Sequence, residues 1–162
     1  MAKYTLQNDL NIFDFVLLGI ASPENQYVLV NAVNFDLCIS LELHQVLKIS
    51  QKHGRLFDFS LYGFVDEDMG LEYYLLPNKS NYQPKTGNEK PNDLFASSNQ
   101  QVEEAALLVP ELPHTNYFLI LKGESAFHEQ YEIFKYLKKV HGIQQVHEII
   151  PERLPSKNHL VF

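Results

Sequence analysis

The sequence predicts an α+β domain built on a mixed, mainly antiparallel sheet with two main helices on one face, leaning towards a ferredoxin-like arrangement. Three observations carry that expectation. Residues 57–65 and 71–77 alternate apolar with polar side chains on either side of "DEDMG", the pattern of an antiparallel hairpin with a five-residue loop. "TNYFLILKG", "ESAFHEQYEIFKYLKKV" and "IQQVHEII" follow one another as strand, helix and strand, a unit whose strands run parallel without having to be neighbours. Near the start, the apolar run "FVLLGIAS" leads into the helix start "SPEN", so a second strand-helix unit precedes the hairpin.

Taken in order, residues 15–22 form a continuous apolar run of the kind a strand buried on both faces shows, although periodicity alone does not separate it from a buried helix. Ser22 as N-cap, Pro23 at the first helical position and Glu24 in the first turn open a helix over about 23–34, with Tyr27, Val30 and Val33 as its apolar stripe. "ELHQVLKISQ", residues 42–51, suits strand or helix. The strand is preferred because "KHGR" turns directly into the clearest strand of the chain, where Phe57, Phe59 and Leu61 alternate with Asp58, Ser60 and Tyr62. Residues 78–100 are rich in Asn, Lys, Ser and Pro and are expected to form a long mobile loop. "QVEEAALLV" reads as a helical run stopped by Pro110. In the last helix Ser125 is expected as N-cap, Phe127, Tyr131, Phe134 and Leu137 or Lys138 as the inner stripe, and Gly142 as the stop.

Composition narrows the class. A chain of 162 residues, 45% apolar with 11 Phe and 9 Tyr, is the size of a single domain, 1–162, and can bury about 70% of its unfolded surface. The formal charge is −7 and the cations are scattered except for Lys135, Lys138 and Lys139, which sit where a helix end attracts them, so no nucleic-acid partner is expected. The one cysteine, Cys38, lies among apolar neighbours in "FDLCISL" and is expected to be buried as a small hydrophobe; no disulfide forms within one chain, which suits a reducing compartment. The N-terminus has no signal-peptide pattern and the longest apolar run, "FVLLGIA", is far short of a membrane span. A soluble, cytoplasmic protein without membrane contact is expected.

The stretch "VPELPHTNY", residues 109–117, punctuates the second half. Physically it reads as a structural turn: Pro110 ends the preceding run and pushes Val109 towards extended geometry, Glu111 accepts bonds from freed backbone donors, Pro113 stiffens the approach, and Tyr117 enters the next strand with its ring on the core side. "IIPERLP", residues 149–155, is a second Pro-Glu turn of the same kind. The first stretch resembles the signature of the bacterial IPExxxVDY family, domains of about this length without an assigned function. Pro110, Glu111 and Tyr117 match it, while Val109, Thr115 and Asn116 stand where the family has Ile, Val and Asp. "DFSLYGFVDED" and "LPSKNHLVF" are similar to segments that members carry before and after the motif.

No residue set carries a reaction. "GESAF" lacks the second glycine of a nucleophile elbow, where Phe127 stands, and "HEQYE" lacks the second histidine of a zinc-protease helix, where Glu132 stands. The seven histidines show no metal-ligand spacing, Asp66, Glu67 and Asp68 lack the rest of a calcium loop, and no glycine-rich phosphate cradle is present. No catalytic residue, cofactor or metal is therefore expected. The leading expectation is a non-enzymatic interaction or accessory domain, a homodimer or a binder of another protein, that associates through an aromatic sheet face with Tyr62, Phe64 and Tyr74 at the contact. The alternative is a small-molecule sensing domain, because the strand-helix-strand rhythm of residues 117–150 resembles ACT and related ferredoxin-like regulatory modules. An enzyme of unknown type ranks third.

Overall fold

β1 (Val16–Ala21) is buried from Val16 to Ile20 because a strand lies against each of its edges: β7 (Tyr117–Lys122) on one side and β8 (Gln145–Ile149) on the other. Its uninterrupted apolar run is what such a central strand requires. The computed structural model describes residues 13–51, 54–81 and 105–162. Around β1 the chain adds β2 (Glu42–Gln51), β3 (Arg55–Asp66) and β4 (Leu71–Pro77), giving a six-stranded sheet in the order β2-β3-β4-β7-β1-β8. Every ladder in it is antiparallel. The expected sheet was mixed and mainly antiparallel, and its antiparallel character extends to every ladder. β7 and β8 do run parallel, but β1 is inserted between them, so their parallel relation never becomes a ladder. The inner order β8-β1-β7-β4 fits the ferredoxin-like expectation, and the β2-β3 hairpin extends it by two strands.

Two helices cover one face. α1 (Gln26–Leu37) contributes Leu29, Val30 and Val33, and α2 (Ala126–Leu137) contributes Ala126, Ile133 and Leu137, to a core that includes Val16, Leu18, Ile20, Leu75, Leu119 and Val146. Both helices depart from their expected details. α1 starts at Gln26, because Asn25 and not Ser22 caps it: the Asn25 side chain accepts from the Val28 N–H at 3.0 Å. Ser22 is buried and donates instead to the Gly142 carbonyl at 2.7 Å. In α2 the packed stripe is Ala126, Ile133 and Leu137, and Phe127 and Tyr131 are exposed, because the helix is rotated so that small and aliphatic residues meet the sheet. Ser125 occupies the N-cap position without a side-chain cap bond, its hydroxyl going to the Met69 carbonyl in the β3-β4 turn. Gly123, at φ +109, lies against that same turn, and a Cβ there would collide with the Gly70 carbonyl. Strand and turn meet backbone to backbone, a packing requirement that leaves "GESAF" no catalytic geometry to explain.

The opposite face was expected to offer the aromatic contact surface. It carries a second core, Phe15, Leu17, Phe57, Phe59, Leu61, Leu76, Phe118 and Ile120, roofed by Ala106, Leu108 and Val109 from one segment and Leu154 and Leu160 from another. The first roof begins with β6 (Ala105–Leu107), which pairs with β5 (Lys79–Asn81) in a two-stranded ladder. The described part of "QVEEAALLV" is thus extended where a helix was expected, because β5 supplies backbone partners. The second roof is the C-terminal segment with two 3-10 turns, Pro151–Arg153 and Lys157–Leu160. Of the loop expected at 78–100, residues 82–100 lie outside the described residues, while Asn78 is fully buried and 79–81 are β5. Cys38 is also corrected: it closes α1 in a left-handed conformation (φ 55) and is exposed, because the helix ends there and the residue belongs to its C-terminal turn rather than to the packed stripe.

Candidate functional site

The motif stretch is organised by Asn78. Its Oδ1 accepts from the Val109 N–H at 2.8 Å, and its Nδ2 donates to the Leu112 and Thr115 carbonyls at 2.9 Å each. Its own backbone donates to the Asn116 carbonyl and accepts from the Leu108 N–H. An irregular segment lying on a core must find partners for its backbone groups, and one buried amide supplies several at once. Pro110 and Pro113 are exposed at the turn. Glu111 reaches the other roof segment, where its carboxylate accepts from the Ser156 N–H at 2.7 Å. Burial opposes ionisation of Glu111 but is outweighed by hydrogen bonds from its own N–H and from Ser156, with His159 adding attraction, so the carboxyl is held below its usual range. Asn116 accepts from the Ser22 N–H at 2.8 Å, and the Tyr117 hydroxyl donates to the Glu24 carbonyl. Glu111 and Tyr117 therefore tie sheet, helix entry and C-terminal segment together.

The three side chains expected at one contact do not share a surface. Tyr62 is 9% exposed and, with Phe64, packs on the helix side, whereas Tyr74 packs on the opposite side. Tyr62 and Tyr74 have opposite parity on sheet faces because they sit on strands in register with different partners, Leu75 and Gly63. Tyr74 donates to Glu72 at 2.7 Å and meets the ring of Phe162 edge-on, with ring centres 5.4 Å apart. Lys122 lies over the same two rings, and burial pushes its ammonium down despite Glu72. Those aromatics serve the fold itself.

Among the exposed apolar side chains, which include Phe127, Tyr131 and Tyr136 of α2, one group lies on α1 and the neighbouring edge strand. Phe35 is 84% exposed, Val28 and Tyr27 are exposed with it, and Asp36 is the only charged residue of the helix. Tyr27 adjoins Tyr62, whose hydroxyl is pushed up by burial and by Tyr27; across the ladder from Tyr62 stands Leu43, exposed on β2 together with Val46. A helix apolar all round is ordinarily a buried one.

A second feature lies between the helices. Asp36 and Cys38 at the end of α1, Glu129, Glu132 and Tyr136 of α2, and Tyr73 of β4 line a cleft of about 370 Å3. Glu132 is paired with Lys135 at 2.7 Å. Tyr73 is the buried member of this lining, and its pKa is pushed up to about 12, mainly by burial and further by Asp66 and Glu129. Sequence reasoning passed over both Asn78 and Tyr73: the first lies in a stretch whose composition reads as loop, the second in a strand where a tyrosine reads as core.

Comparison with known proteins adds no neighbour: no family model, no curated protein and no solved structure matches the chain. Among the described residues no helix is long and apolar enough to cross a membrane.

Proposed function

We propose that the chain is a non-enzymatic interaction domain that self-associates through the outward face of α1 and the adjoining edge of β2. The observation that carries the reading is the exposed set Val28, Phe35 and Tyr27 on a helix with one charged residue. Contiguous apolar surface on a protein usually marks a contact. A second copy is the partner best suited to it: two chains of net charge −7 repel over most of their surface, and α1 presents a neutral, apolar area where that repulsion is least. This replaces the aromatic sheet face as the contact. The exposed, unpaired thiol of Cys38 favours a reducing, cytoplasmic setting, and the match at Pro110, Glu111 and Tyr117 favours membership of the IPExxxVDY family.

Sedimentation equilibrium at micromolar concentration should give a dimer mass, and Phe35→Glu should return the monomer with thermal unfolding unchanged, since Phe35 contributes nothing to the core. A wild-type protein that is monomeric at 100 μM removes the reading. The alternative of small-molecule sensing is favoured by one observation, the cleft between the helices.

A further inference from the structure

The two helices lie side by side and run in opposite directions. At one end the Ser22 hydroxyl, ahead of α1, donates to the Gly142 carbonyl beyond α2; further along, Asp36 at the end of α1 shares the cleft with Glu129 and Glu132 from the middle of α2. Both helices carry aromatic rings on their uncovered side: Tyr27 and Phe35 on α1, Phe127 and Tyr131 on α2. Their charges differ. α1 holds Asp36 alone, whereas α2 is divided along its length, with exposed Glu124 and Glu132 up to its middle and exposed Lys135, Lys138 and Lys139 at its end. Those lysines are the one basic cluster of a chain of net charge −7.

We infer that a second copy docks helix layer on helix layer about a twofold axis that crosses both helices, so that α1 lies against α1 and α2 against α2, each pair antiparallel. The inference rests on pairing through α1 and assigns α2 the other half of the contact. Two kinds of twofold axis lay such a layer on its own copy. An axis running along the helices sets α1 over α2 at equal height, which brings Asp36 and Glu129 of the two clefts face to face, like charge on like charge. An axis across the helices moves those acids to opposite ends of the contact. It also carries the lysine end of each α2 over the acidic part of the other, and turns Tyr27 of each α1 towards Phe35 of the other. A reversed α2 is thus its own complement in charge, and aromatic side chains lie at the centre of the contact, where interfaces concentrate them. That self-complementarity selects a second copy as the occupant.

Sedimentation equilibrium of the full chain tests it with two charge reversals. Glu124→Lys with Glu132→Lys, and separately Lys138→Glu with Lys139→Glu, should each weaken self-association at least about tenfold, or about 1.4 kcal/mol. Thermal unfolding should stay close to wild type, because all four side chains are exposed. The first variant should weaken although it brings the net charge of the chain nearer to zero, which separates local pairing from overall repulsion. An equimolar mixture of the two variants should regain wild-type affinity as a heterodimer, which also shows that both are folded. A mixture that stays monomeric where the wild type dimerises, or either variant self-associating as tightly as wild type, overturns the inference; if Phe35→Glu still dissociates the dimer, pairing through α1 stands without α2. A wild-type chain that stays monomeric removes both.

Discussion

One face of the sheet is covered by two regular helices and the other by two segments with little repetitive structure, and the two covers are held by different physics. A helix satisfies its own backbone, so α1 and α2 need only present Leu29, Val30 and Val33, or Ala126, Ile133 and Leu137, to the strands. The irregular cover has backbone groups that must be met from outside. Asn78 meets Val109, Leu112 and Thr115; Glu111 meets Ser156; a ring nitrogen of His159 lies 2.7 Å from the Leu108 carbonyl; the Ser80 hydroxyl donates to the Asp58 carbonyl. The helix-covered face therefore depends on many interchangeable apolar contacts, and the other face on a few polar ones that are not interchangeable.

The sharpest way to break this contrast is Asn78→Ala. It strands one backbone donor and two carbonyls beneath the cover, each costing about 1–3 kcal/mol when buried without a partner, so a loss of about 4 kcal/mol in urea unfolding is expected. A loss under about 1 kcal/mol for Asn78→Ala would mean that the segment finds other partners and is not held by this side chain.

The same contrast explains what was legible in the sequence. The hairpin of β3 and β4 and the β7-α2-β8 unit are readable because each rests on a local period, two for a strand and 3.6 for a helix, whereas β2 is preferred as a strand only for the glycine turn that leads from it into β3. Residues 105–109 read as helix and turn out to be the strand β6 followed by a bend, because their partners are β5 and Asn78, about thirty residues away, and no local pattern reports a distant ladder. Asn78 itself was hidden by its surroundings: "NKSN" has loop composition, and nothing in it marks one amide for burial. Aromatic residues on both faces of the sheet are legible in the alternation of β3, but Tyr62, Phe64 and Tyr74, expected at one contact, lie on opposite sides, and the cover over the face without helices has no sequence signature because it is made of irregular segments. The motif was legible as a turn because prolines act locally; that Glu111 reaches Ser156 was not, because that contact spans forty-five residues.

A paired truncation sharpens the comparison further. Leu29 on the helix side and Leu160 on the other are both fully buried, so Leu29→Ala and Leu160→Ala should each cost about 3 kcal/mol, as core deletions of this kind do. Equal losses show that the C-terminal segment is as much core as a helix. If only Leu160→Ala is tolerated, with a cost under about 1 kcal/mol, the irregular cover is a peripheral layer and the contrast becomes one of strength as well as kind.

The smallest effect tests whether the polar ties act through charge. Glu111 is ionised more readily in the folded chain than in the unfolded one, so its contribution is fully present above the unfolded carboxyl value, about 4.3, and is lost as pH falls through the lower folded value. The side chain is exposed, and screening keeps the gain at or below about 1 kcal/mol. Glu111→Gln should therefore be slightly less stable than wild type at pH 7, and the gap should close in acid. His147 bends the curve of each protein, because burial lowers its pKa and the folded state loses ground once the unfolded chain takes up the proton, below about 6.5. That loss is common to both proteins and cancels in their difference. Urea unfolding of the pair at pH 7 and pH 3 measures it directly. A gap that persists unchanged at pH 3 would show that shape and hydrogen bonding, and not the ionised carboxylate, hold the two irregular segments together.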